Sequence, residues 1–82
     1  MTIEEQAQTL EKSLHILEAM KKKPWMSAED RRAVVEDIRS RIHTAEATLN
    51  LPTRAAEAYG RQKLILWTEM ANGTLKSAEY QP

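Results

Sequence analysis

The sequence predicts an all-α fold, a small bundle of three helices. Three observations carry that prediction. Apolar residues recur at helical spacing in two successive segments. A helix-capping signature stands in front of each of them. Glycine occurs only twice and proline three times in 82 residues, which is too few for a turn-rich β architecture.

The first helix is expected over about residues 3–22. Thr2-Ile3-Glu4-Glu5 has the form of a capping box, with Thr2 as N-cap and Glu5 reaching back. Ile3, Ala7, Leu10, Leu14 and Leu17 follow at intervals of four and three, a heptad-like seam that Ile16 and Met20 widen. Glu4 and Glu5 at the start, and Lys21, Lys22 and Lys23 at the end, oppose the helix dipole. Pro24 disfavours helical geometry at Lys23, so the helix should stop there.

The second helix is expected over about residues 28–50. Ser27 supplies the cap, with Glu29 and Asp30 behind it. Val35, Ile38, Ile42, Ala45 and Leu49 repeat the seam, flanked by Ala33 and Val34. The link between the two helices is short, which predicts an antiparallel hairpin. The pairs Glu18 with Lys22, Asp37 with Arg41 and Glu57 with Arg61 stand four residues apart, acid first. Such spacing supports helix and says nothing of function.

Leu51-Pro52-Thr53 breaks the chain again, with Thr53 as the expected cap. A third helix is expected over about residues 54–71. It carries Ala55, Ala56, Tyr59, Leu64, Ile65, Leu66, Trp67 and Met70. Leu64 to Trp67 is apolar almost all round, so this stretch should be covered on more than one side. Asn72-Gly73 reads as a C-terminal stop, with Gly73 in a left-handed cap. Residues 1–73 then form one helical domain and residues 74–82 a tail, from which Leu75 and Tyr80 could dock.

Composition narrows the function. A chain of 82 residues holds one core. The apolar fraction is 41%, about 34 residues, of which 11 are alanine, leaving 23 larger side chains and no Phe. So small a core is marginal alone, and self-association is a common remedy. A homo-oligomer is therefore expected, a dimer being its simplest closed form. Lys plus Arg and Asp plus Glu are both 12, so no overall field draws the chain to nucleic acid or to an anionic membrane. No apolar run approaches membrane-spanning length, and Met1 to Leu10 has no basic residue and thus no signal-peptide character. A cytoplasmic setting is the expectation. The absence of cysteine excludes disulfide scaffolds, thiol catalysis and Cys-ligated metals.

Catalytic and metal-binding patterns are weak. His15 and His43 would differ in level by roughly 10 Å along a helical hairpin, at ~1.5 Å per residue. His43 and Glu46 are three apart, but in the order opposite to a Glu-x-x-His ligand pair. The adjacent carboxylates Glu4-Glu5, Glu29-Asp30 and Glu36-Asp37 point about 100° apart on a helix and form no acid–base couple. No enzyme, catalytic residue, metal or cofactor is expected.

Two binding readings remain. The leading one is a non-catalytic protein–protein interaction module, an adaptor, regulator or inhibitor of bacterial or phage type. It would act through helix faces on another copy of itself and on another protein. Its anchors are Tyr59, Arg61, Leu64, Trp67 and Met70, a mixture enriched in interface hot spots. Gly60 would permit a close helix crossing, helped by Ala56 and Ala58. The alternative is a nucleotide or nucleic-acid site at the first turn. Lys21, Lys22, Lys23, Arg31 and Arg32 would hold phosphates there, in an intersubunit pocket if the chain dimerises, and Trp25 would stack a base. Residues 21–32 hold five basic and two acidic side chains, a local excess of three.

Overall fold

The computed structural model describes residues 2–23, 25–52 and 54–77. The assignments to Pro24, Thr53 and Tyr80 lie outside the described residues. Helix α1 spans Ile3–Lys21 and α2 Ala28–Leu49; after a short 3-10 turn at Ala55–Glu57, α3 spans Ala58–Leu75. The described residues are all-α, in an elongated body of 46 × 20 × 18 Å.

Local chemistry sets the helix starts. The Thr2 hydroxyl accepts from the Glu5 amide at 3.1 Å, and the Glu5 carboxylate accepts from the Thr2 amide at 3.0 Å. That completes the capping box and satisfies two donors that the helix cannot. The Ser27 hydroxyl accepts from the Asp30 amide at 3.1 Å. At α3 the Glu57 carboxylate accepts from the Arg54 amide at 3.2 Å, across the 3-10 turn.

The seams meet as the spacing requires. Leu10, Leu14 and Leu17 of α1, Val35, Ile38 and Ile42 of α2, and Ala71 and Leu75 of α3 form the larger core cluster. Ile3, Ala7, Ala45 and Leu64 form the smaller one. Half-buried Trp67 packs on both and joins them. Met20 is buried, whereas Ile16 and Ala33 lie on the surface.

Three contacts fix the helix directions. Thr48, near the end of α2, donates to the Gln6 side chain near the start of α1 at 3.2 Å, so the two are antiparallel. Lys63, early in α3, reaches Glu4 at 3.2 Å. Gly60 lies against the Glu4 backbone. Helix α3 therefore runs parallel to α1 and antiparallel to α2.

Helix α3 begins later than expected, at Ala58 after the 3-10 turn, and ends at Leu75 and not Ala71, so Thr74 and Leu75 belong to the helix and not to a tail. Two local expectations change as well. Gly73 is not a left-handed cap; no glycine has positive φ and the helix runs through it. Leu75 lies 8% exposed in the core, and its burial offsets the cost of a glycine inside the last turns. Lys76 is the C-cap, donating its amide to Asn72 O and Thr74 O. The second change concerns Glu18, which pairs with Lys21 at 3.3 Å, one residue short of the expected Lys22. Asp37 and Arg41 pair as expected, at 2.9 Å.

Candidate functional site

Residues on α3 advance by about 100° each, so positions seven apart share a face. Gly60, Leu64, Thr68, Ala71 and Leu75 turn inward and are buried. Tyr59, Leu66 and Gly73 stand on the opposite face, with Met70 on its α1 side. Tyr59 is 64% exposed, Leu66 51% and Met70 47%. Three large apolar side chains thus share one solvent-facing surface of a helix whose inner face already builds the core.

The five anchors read from sequence therefore separate. Leu64 is fully buried and cannot act as a surface anchor. Trp67 is half-buried, its indole edge-on to the exposed His15 ring at 6.5 Å between centroids and 84° between planes. Arg61 is half-buried on the side away from Met70. Tyr59 and Met70 remain on the outer face. Leu66 belongs with them and was not among the anchors. The signal was present in the sequence, since Leu66 lies seven residues after Tyr59 and seven before Gly73.

Lys63 borders this face. Its ammonium donates to Glu4 Oε1 at 3.2 Å and lies 4.5 Å from the Tyr59 ring centroid. The bond to Glu4 and the contact with Tyr59 hold the Lys63 ammonium above the ordinary lysine range. The Tyr59 ring is thereby fixed against a charge that is already paired.

The basic turn is built differently from the sequence expectation. The Arg31 guanidinium donates to Lys23 O at 2.8 Å and to Met26 O at 3.4 Å. It closes the connection between α1 and α2 by satisfying carbonyls that the helix end leaves open. Lys21 is paired with Glu18. Lys22, Lys23 and Arg32 are exposed, and Trp25 is 76% exposed. The connection and the helix ends around it thus expose an indole and three cationic side chains, while Arg31 bonds the backbone.

Among the described residues no group of three or more His, Cys, Asp or Glu comes together in a metal-holding arrangement. A polar groove of about 260 Å³ lies between α1 and α2, lined by residues that include Gln6, Thr9, Asp37 and Arg41. A second groove of about 320 Å³ lies between α2 and α3, beside Glu46, Asn50, Thr68 and Glu69. Among the described residues no helix is long and apolar enough to cross a membrane. Comparison with protein-family models, curated proteins and solved structures finds no match.

Proposed function

We propose that this chain is a small non-catalytic protein–protein interaction module, an adaptor, regulator or inhibitor acting in the cytoplasm through helix faces. The observation that carries the reading is the exposed apolar face of α3, formed by Tyr59, Leu66 and Met70. Apolar side chains gathered on one face lose water when a second surface covers them, and that supplies the driving force for association. The two inner seams are consumed within the bundle, so self-association as well as partner binding would use α3.

The test compares wild type with Leu66→Glu and Lys22→Glu, all immobilised and exposed to lysate of the source cells. Proteins retained by wild type and by Lys22→Glu, but lost by Leu66→Glu, are the expected outcome. Identical retention by all three chains overturns the reading.

A second reading, nucleotide or nucleic-acid binding at the first turn, is favoured by the exposure of Trp25, Lys22, Lys23 and Arg32, all within residues 22–32. Titration with a single-stranded oligonucleotide at low and high salt decides it. Binding that weakens steeply with salt and is lost in Trp25→Ala supports this reading; no binding at low salt removes it.

A further inference from the structure

The outer face of α3 has a symmetry of its own. Tyr59 and Gly73 stand seven residues to either side of Leu66, about 10 Å away along the axis in each direction. All three lie on the same line of the helix. One end of this line carries the bulk of an aromatic ring. The other end carries no side chain, and a carbon at the Gly73 Cβ position would meet none of the described residues within 4 Å. Large at one end, empty at the other and apolar in the middle is the pattern of a surface complementary to its own reversed copy.

Resting on the interaction reading above, we propose that the occupant of this face is a second copy of the chain, packed antiparallel through α3 about a two-fold axis beside Leu66. In that register Leu66 meets Leu66 of the second copy. Each Tyr59 ring lies over the opposite Gly73, so the two bulky ends fill the two empty ones. A two-fold of this kind keeps each flank against the same flank of the other helix. Gln62 and Glu69, on one flank, then face each other across the interface, an amide donor against a carboxylate. On the other flank the Lys63 stem runs beside the opposite Met70, its ammonium already held by Glu4. A parallel pair would stack the two Tyr59 rings and leave both Gly73 positions facing a gap. Shape selects the antiparallel form.

The contact is confined to one helix pair, so it falls at the small end of interface sizes. The dimer should accordingly be concentration-dependent, forming at roughly 100 µM and above.

The chain lacks cysteine, so single introduced thiols report the register directly. The Leu66→Cys chain, oxidised under mild conditions, is expected to form a covalent dimer of twice 9.4 kDa. The Ser40→Cys chain, whose thiol sits on the exposed part of α2, should not. A mixture of the Tyr59→Cys and Gly73→Cys chains should cross-link to each other far more than either does to itself. In light scattering, wild type should approach twice the chain mass at high concentration. Leu66→Glu should weaken the dimer at least tenfold with an unchanged circular dichroism spectrum. Preferential self-linking of Tyr59→Cys would mean a parallel pair and overturns the proposal. A wild-type mass of 9.4 kDa at every concentration, with no Leu66→Cys dimer, also overturns it. In that case, lysate proteins still lost by Leu66→Glu would leave the interaction reading standing with a foreign partner. If Leu66→Glu changes neither mass nor retention, both fall.

Discussion

Gly60 of α3 lies directly on the backbone of Glu4 in the first turn of α1: a Cβ at Gly60 would stand 3.2 Å from the Glu4 nitrogen and 3.5 Å from its Cα. This is a close approach of α3 to α1, and a side chain at this point must displace the Glu4 backbone by a few tenths of an ångström. The Gly60→Ala chain gains up to ~1 kcal/mol of helix propensity and gives back a similar amount to crowding. Its stability is expected to stay within about 1 kcal/mol of wild type, because the first turn of a helix frays readily and can shift by a few tenths of an ångström. Gly60→Val adds branching against the same backbone and should lose more than about 1 kcal/mol. Urea unfolding measures both; a Val variant as stable as wild type would show that the contact is loose.

Gly73 gives the opposite expectation. It lies within α3, has no positive φ, and among the described residues nothing stands within 4 Å of where a Cβ would go. Gly73→Ala should raise stability by about 0.5–1 kcal/mol, measured at low concentration where the chain is monomeric. An unchanged or lowered unfolding midpoint would contradict the placement of Gly73 inside a helix.

Leu64 and Leu66 are two residues apart and should differ sharply. Leu64 is fully buried among Ile3, Ala7 and Ala45, and its truncation to Ala should cost about 2–5 kcal/mol. Leu66 is half exposed, and Leu66→Ala should change monomer stability by about 0.5 kcal/mol or less. Equal losses at the two positions, read by denaturant unfolding of dilute protein, would place the wrong face of α3 inward.

Among the described residues the buried Thr68 hydroxyl oxygen has no hydrogen-bond partner. Such a group costs about 1–3 kcal/mol of lost hydration. Thr68→Val removes the hydroxyl and keeps the shape, so it should stabilise the bundle by about 1 kcal/mol. A clear drop in thermal midpoint would mean that the hydroxyl is satisfied after all.

Two surface groups should make stability depend on pH with opposite signs. The Thr2 amide, and then the Thr2 hydroxyl contact, hold the Glu5 carboxyl below its ordinary value of 4.5. A depressed carboxyl contributes above its unfolded value, and the contribution disappears as pH falls through the folded one. The stability difference between wild type and Glu5→Gln should therefore be constant above about pH 5 and shrink toward zero in stronger acid. Lys63, raised above 10.5 mainly by Glu4, behaves in the opposite sense. Its contribution is complete below 10.5 and lost as pH rises through the folded value, so the difference between wild type and Lys63→Met should shrink only in strong base. Both groups are surface-exposed, so these effects are small; thermal melts across pH read them. A difference that grows in acid for Glu5→Gln, or in base for Lys63→Met, would reverse the sign of these contacts.

Much of this molecule was legible in the chain because its signals are local. The capping box at Thr2 and Glu5, the Ser27 cap and the four-three spacing from Leu10 to Leu17 each act within a turn or two of helix. Proximity along the sequence therefore specifies them. The short connection to α2 likewise determined an antiparallel hairpin. The candidate surface was legible in part. Tyr59 and Met70 were identified, but Leu64 was grouped with them, because Leu64 to Trp67 is apolar around most of the helix and periodicity cannot say which apolar residue faces in. Only tertiary contact decides that. Gly60 lies against the Glu4 backbone of α1, Leu64 on the same side packs with Ile3 and Ala45, and Leu66 is left toward water. The same holds for Gly73 and Arg31. Gly73 is a stop signal in isolation, yet burial of Leu75 two residues later draws the helix through it. Arg31 is one charge in a basic run by sequence, and becomes a clamp once the fold brings the carbonyls of Lys23 and Met26 within its reach.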